Sequence, residues 1–385
     1  MKIQDIKTYI VDFYRANWVF VKIFTDAGIS GVGEATLDFK EKAVKGAVED
    51  LGRYLIGKDP FRVKYHYHRM YRDAFWRGGP VLMSALSGVE SCLLDIKAKA
   101  LGVPVYDLLG GRVRDEVPVY ANGWFSGAKT PQEFAIKAQD AIDSGFKAIK
   151  WDPFGSSYMT ISNSELTSAL NCIAAVKDVT GQKIDIIIEG HGRFNVPTAI
   201  NIAKRIEEFD PKWFEEPVPP SPYALRQVRK QSPVRIATGE RLHDLQSFID
   251  LFDNEAVDYV QPDISHVGGL INSLAIAELA NQYYIPFAPH NPNGPIATAA
   301  NLQLAACSPN FDVLEIMRSS VPWRKEIVDE TIDFKDGYIK IPTKPGLGID
   351  IHEEELTKHP YREHDLRHYN GMLTDIRPPK MIDVF

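Results

Sequence analysis

From about residue 117 the chain repeats one grammar: a short apolar run, a polar or ionisable residue at its C-terminal end, then an amphipathic stretch with helical spacing. VPVYANG, FKAIKWDPF, KIDIIIEGHG, KWFEEPVPP, VRIATGERL, VDYVQPDISHVGG, IPFAPHNPNG and FDVLEIM read as eight strands with seven helices between them. Two helices open on capping boxes, TPQE (Thr130 to Glu133) and SNSE (Ser162 to Glu165). Runs such as IDIII are apolar on both faces, as a parallel strand covered by helices requires. The alternation runs for about 200 residues, and no glycine-rich dinucleotide-binding turn follows the first strand. That predicts an α/β chain built as a TIM-type barrel rather than an open doubly wound sheet.

The flanking segments differ. KIQDIKTYIVDF, WVFVKIFTD and ISGVGEATL read as three strands, with Asp26-Ala27-Gly28 as a tight turn. Three helical patterns follow, the last ending at Gly102. Residues 1–116 are therefore expected to form an α+β domain, 117–330 the barrel, and 331–385 a segment packing back on the first domain. With 44 basic against 51 acidic side chains, the net charge of −7 is spread without long like-charge runs. That argues against nucleic acid or an anionic membrane as the partner. No apolar run reaches the ~18 residues of a membrane span, and the N-terminus lacks a signal peptide's hydrophobic stretch. Cys92, Cys172 and Cys307 match no metal or redox spacing, which suits three buried thiols in a cytoplasmic protein.

In a barrel of this kind the chemistry gathers at the C-terminal ends of the strands. Those ends carry Lys150 and Asp152, Glu189 and His191, Glu215 and Glu216, Glu240, Asp263, His290 and Glu315. From Glu189 the steps are 26, 25, 23, 27 and 25 residues, each about one βα unit, so the series advances one strand at a time. Glu189, Glu215 and Glu240 would repel one another without a cation, and an all-oxygen set suits Mg²⁺ better than zinc. A strand-end carboxylate can equally cap the next helix or pair with an arginine such as Arg193 or Arg241. Three in register favour the metal. Asp263, one strand before His290, is well placed to accept a hydrogen bond from its imidazole and make it a base. His191 stands on the strand of Glu189. His66, His68, His266, His352, His359, His364 and His368 read as surface or interface residues.

The strand-end series, with GVGEA near the start and PGLG near the end, resembles the enolase superfamily in its mandelate racemase-like branch, over nearly the whole chain. KWDPFG, IEGHGRF, FEEPV, TGERL, QPDISHVGG and APHNPNGP are similar to the sugar-acid dehydratases, the archaeal-type gluconate dehydratases and then galactonate dehydratase. The resemblance implies an N-terminal capping domain over a modified (β/α)7β barrel. It implies Mg²⁺ on Glu189, Glu215 and Glu240, His290 with Asp263 as the base, His191 as the acid, and Glu315 near the substrate carboxylate. It also implies a homo-oligomer acting on a small sugar acid. Two departures stand out. The first metal ligand is Glu189 where Asp is commoner, and Lys150-Trp151-Asp152 replaces the Lys-x-Lys of many relatives. The second removes a lysine base, leaving Lys150 to partner the substrate carboxylate and Asp152 to contact a substrate hydroxyl.

The chemistry so implied is removal of the C2 proton of an aldonic acid by His290. His191 then protonates the leaving C3 hydroxyl, and a 2-keto-3-deoxy acid results. The Arg15-Ala16-Asn17-Trp18 loop and the Phe75 to Gly79 segment, through Trp18 and Arg77, are candidates for the distal hydroxyls or for packing. A racemase, epimerase or cycloisomerase on the same scaffold is the enzymatic alternative, and a non-catalytic barrel the other. A product that condenses with semicarbazide separates the first pair, and Mg²⁺ binding the second.

Overall fold

The computed structural model describes residues 1–13, 15–73, 75–318, 321–329 and 332–364. Strands β1 (Ile3–Phe13), β2 (Ala16–Thr25) and β3 (Ser30–Glu34) make an antiparallel sheet in chain order. Gly28 takes the left-handed φ of 73° that the turn between β2 and β3 requires. Helices α1 (Glu41–Leu55), α2 (Val63–Asp73) and α3 (Pro80–Leu101) follow, and Gly102 ends α3 in the left-handed region. The glycines of ISGVGE have a packing reason. A Cβ on Gly31 would lie 2.2 Å from the Cys92 carbonyl oxygen, and one on Gly33 would lie 2.0 Å from that of Gly88. Helix α3 therefore rests with its backbone directly on β3.

After the single turn α4 (Val105–Leu108) comes the βα series. It runs β4 (Glu116–Asn122), α5 (Pro131–Asp143), β5 (Ala148–Trp151), α6 (Asn163–Thr180), β6 (Asp185–Glu189) and α7 (Val196–Ile206). It continues with β7 (Phe214–Glu215), α8 (Pro222–Gln231), β8 (Ile236–Thr238), α9 (Leu245–Asp253) and β9 (Tyr259–Val260). Helices α10 (Leu270–Gln282) and α11 (Pro295–Cys307) and strand β10 (Leu314–Met317) complete it. Strands β4 to β9 pair in chain order and in parallel, and β10 returns to β4, as closure of a barrel demands. Both expected capping boxes form, at Thr130 with Glu133 and at Ser162 with Glu165.

The strand expected over IPFAPHNPNG does not form. Single bridges join Phe287 to Phe311 and Asp263 to His290 instead. Pro286, Pro289 and Pro292 have no N–H to give a ladder, so that stretch is held by other means. A hairpin of β11 (Phe334–Lys335) and β12 (Tyr338–Lys340) lies antiparallel to β4, and α12 (Glu353–Leu356) is one short turn. Residues 332–364 return to the first sheet, where Asp12 N–H donates to the His359 carbonyl at 3.0 Å and Lys22 pairs with Asp350 at 3.0 Å.

The described residues cluster into two compact units. One is Met1–Pro118 with Glu240–Phe248 and Gln261–His364, and the other is Val119–Gly239 with Ile249–Val260. Packing thus groups the later part of the βα series with the N-terminal residues. Cys92 and Cys307 are buried, whereas Cys172 is only partly so.

Candidate active site

In the unit that holds β5, β6 and β7, Glu189 and Glu215 are register partners at the ends of neighbouring strands. Lys150 on β5 reaches both, with Nζ 2.5 Å from Glu215 Oε1 and 3.4 Å from Glu189 Oε2, and all three side chains are buried. Trp213 Nε1 donates to the other Glu215 oxygen at 2.9 Å. Asp152 does not face Lys150. Its two oxygens accept from Arg193 Nη2 at 2.7 and 2.6 Å, from His191 Nδ1 at 2.6 Å and from Phe154 N–H at 2.9 Å. Burial would push this carboxyl up, but the hydrogen bond from His191 and the charge of Arg193 outweigh it and hold the group below its usual range.

His191 is aimed by a strained turn. Its φ of 51° is rare for a residue with a side chain, and its N–H donates to Glu189 Oε1 at 2.7 Å. Gly190 before it is forced by crowding, since a Cβ there would lie 2.7 Å from the Glu216 carbonyl oxygen. Gly192 after it takes φ 61°. The EGHG sequence is this turn.

In the other unit, Glu240 follows β8 by two residues, and its Oε2 lies 3.1 Å from His290 Nε2. His290 Nδ1 donates to Asp263 Oδ2 at 2.9 Å. Asp263 is fully buried and also accepts from Ser265 N–H and from Asn293 Nδ2, while His266 Nε2 stands 3.6 Å away. Burial would raise Asp263, but His266 and His290 overcome it and keep the group below its usual range. Burial likewise opposes charging of His290, yet Glu240, Asp263 and Glu315 push it up to about 10. Glu315, buried on β10, accepts from Asn291 N–H at 2.9 Å.

One oxygen from each of Glu189, Glu215 and Glu240 lies within 4.8 Å of the other two. Lys150 lies against two of these carboxylates and Arg241 Nε stands 3.4 Å from Glu240 Oε1, yet the three together still present the clustered oxygens that a hard divalent cation fits. The donors are all oxygen, which suits Mg²⁺ and offers nothing to the softer preferences of zinc.

The remaining candidates differ in burial. Trp18 lies in β2, not in a loop, and is buried against Phe13 with ring centroids 4.7 Å apart. Asn17 beside it is buried too. Arg77 is exposed and donates to the Arg72 carbonyl, with Phe75 and Trp76 open to solvent. His66 and His266 are buried, not superficial; His266 Nδ1 meets Ser84 Oγ at 2.9 Å. His368 lies outside the described residues. Arg193 pairs with the strand-end carboxylate of Asp152 and Arg241 lies 3.4 Å from that of Glu240, as arginines near such carboxylates were expected to do, whereas Asn293 was not expected to hold Asp263. The HNPNG run that carries Asn293 was the available signal.

Residues 133–355 match the family described as enolase C-terminal domain-like, and residues 2–110 match the mandelate racemase / muconate lactonizing enzyme N-terminal domain. The chain belongs to the mandelate racemase/muconate lactonizing enzyme family of the enolase superfamily. It is similar to a D-gluconate dehydratase of Thermoproteus tenax, 36% identical across 89% of this chain and 69% of that protein. It is likewise similar to a D-galactonate dehydratase of Variovorax paradoxus, 35% identical across 97% and 100%. The solved mandelate racemase/muconate lactonizing enzyme from Sulfitobacter sp. superposes with a TM-score of 0.89 at 30% identity, covering 98% of this chain and 99% of that one.

Proposed function

We propose that the protein is a Mg²⁺-dependent hydro-lyase that converts an aldonic acid, D-gluconate or D-galactonate, into its 2-keto-3-deoxy acid. The observation that carries the reading is the pair of histidine–aspartate dyads, His290 with Asp263 and His191 with Asp152, each histidine next to a candidate metal carboxylate. The names of the similar dehydratases supply the substrate class.

Mg²⁺ on Glu189, Glu215 and Glu240, when bound, supplies positive charge for the substrate carboxylate as its α-carbon loses a proton. With Nδ1–H committed to Asp263, His290 Nε2 takes the C2 proton. With Nδ1–H committed to Asp152, His191 presents Nε2–H, which protonates the departing C3 hydroxyl so that water leaves. The resulting enol becomes the 2-keto acid by gaining a proton at C3 and losing the one on its C2 hydroxyl. Lys150, bound to Glu215 and Glu189, holds the ligand carboxylates rather than acting as a second base, which favours elimination over racemisation. Glu315 braces the His290 loop through Asn291. Asp152 is read here as a positioning group, because its oxygens are taken by Arg193 and His191.

The test is a screen of C5 and C6 aldonates and aldarates, with semicarbazide detecting a 2-keto product and NMR following C2 exchange in D₂O. D-gluconate or D-galactonate is expected to give product with Mg²⁺ and none in EDTA. His290→Asn should lose exchange, and His191→Asn should lose dehydration while still exchanging. A change of optical rotation without keto product would make the protein an epimerase.

A further inference from the structure

We infer that Glu34, at the end of β3, is a positioning residue that fixes the loop carrying His290; the inference rests on the reading of His290 as the base. No continuous ladder forms over residues 286–294, where only the single bridges from Phe287 to Phe311 and from Asp263 to His290 tie the backbone to its neighbours. The loop His290-Asn291-Pro292-Asn293-Gly294 is pegged instead at separate points. Asn291 N–H and Nδ2 donate to Glu315 Oε2 and its carbonyl, at 2.9 and 3.0 Å. Asn293 Nδ2 donates to both oxygens of Asp263 at 3.1 and 2.9 Å, and Asp263 is the acceptor for His290. The remaining peg is Glu34. Gly294 N–H donates to its Oε1 at 2.7 Å and Ala297 N–H to its Oε2 at 2.8 Å.

Gly294 is the N-cap of α11 and has no side chain to satisfy the free amides of the first turn. In a capping box two residues of the same segment share that work. Here one carboxylate, 260 residues away in sequence, serves both the N-cap amide and the amide three residues on. The fit is reciprocal. The three atoms nearest a Cβ on Gly294 would all belong to the Glu34 carboxylate, its oxygens 2.8 Å away, so glycine is what lets the acid approach. Glu34 is itself fixed, accepting from Thr36 Oγ1 at 2.7 Å and pairing with Phe20 across β2 and β3.

Glu34→Gln keeps the shape but turns an amide NH₂ toward one of the two backbone donors. A displacement of the His290 loop by about 1 Å should lower kcat and the C2 exchange rate about 100-fold. KM should stay within about threefold, because Glu34 is not placed in contact with substrate. Asp95→Asn is the control. Asp95 is another buried acid of the same unit that accepts two backbone amides, from Val32 and Leu347, neither part of the His290 loop, and it pairs with Lys99 at 2.7 Å. It should lower the melting temperature yet keep kcat in the folded protein. The rescue is Glu34→Ala with Gly294→Ser, which supplies a local N-cap hydroxyl in the space the carboxylate leaves; kcat should return to within about tenfold of wild type.

Wild-type exchange in Glu34→Gln, or an equal kcat loss in folded Asp95→Asn, overturns the inference. Should Glu34→Gln not fold, the folded double variant decides, and a kcat still down by about 100-fold or more overturns it. His290→Asn separates the two readings: exchange surviving there overturns the base assignment and this inference with it. Exchange lost there but kept in Glu34→Gln overturns this inference alone.

Discussion

His191 shows how much one residue can be asked to do. It accepts a left-handed backbone, gives its N–H to Glu189 and gives Nδ1–H to Asp152, so its ring has little orientational freedom. The role of Asp152 follows from that geometry. Asp152→Asn removes the anionic acceptor for Nδ1–H on which a proton-donating imidazolium at His191 relies, leaving a neutral ring whose Nε2–H is a poor acid. The expected result is a fall in kcat of about 100-fold or more with C2 exchange retained and the preference among sugar acids unchanged. A shift of preference between D-gluconate and D-galactonate, with kcat nearly intact, would instead make Asp152 a substrate contact. The strand-end residues themselves were legible, because the covalent βα period places them. Their partners were legible only in part: the meeting of Asp263 with His290 was expected, but nothing in the sequence says that Lys150 turns to Glu215 while Asp152, two residues on, turns to Arg193.

Among the helices, those capped from within their own segment were legible and those capped from elsewhere were not. Thr130 and Ser162 announce α5 and α6 with local boxes. Thr130→Ala should therefore cost about 0.5–2 kcal/mol in urea unfolding without touching kcat. Helices α10 and α11 begin at Gly269 and Gly294, which carry no cap of their own. Glu90 of α3 serves α10 as Glu34 serves α11, accepting from Leu270 and Ile271 N–H, both at 3.0 Å. Complete burial pushes Glu90 from 4.5 up to about 7, although the two amides pull the other way. The sign follows by linkage: between those values the folded protein holds a proton that the unfolded chain releases, so stability drains away as pH rises through the window. The wild type should lose about 3 kcal/mol more than Glu90→Gln between pH 4.5 and 7. Parallel stability profiles for the two proteins would show that Glu90 stays ionised throughout.

At the scale of the molecule, the barrel was legible from spacing, and its irregular seventh position was not. Spacing is a local, covalent property, whereas a contact such as Glu34 to Gly294 joins residues 260 apart and leaves no periodic trace. The same contrast governs the metal. Periodicity brings Glu189, Glu215 and Glu240 to one place, but it takes the structure to show that Lys150 already offsets part of their charge. Mg²⁺, bound as proposed, shares the acidic cluster with Lys150 and Arg241, and stability should report the sharing. Binding of Mg²⁺ to the folded state alone should add about 2.7 kcal/mol at a hundredfold excess over Kd, read as a rise in melting temperature between EDTA and saturating metal. In Lys150→Met the buried carboxylates lose their built-in counter-charge, at a cost of about 3–5 kcal/mol. The melting temperature in EDTA should then fall well below wild type, and the increment on adding Mg²⁺ should grow. A wild-type melting temperature indifferent to Mg²⁺, with Lys150→Met equally indifferent, would leave the three glutamates as a salt-bridge cluster and remove the cation from the proposed chemistry.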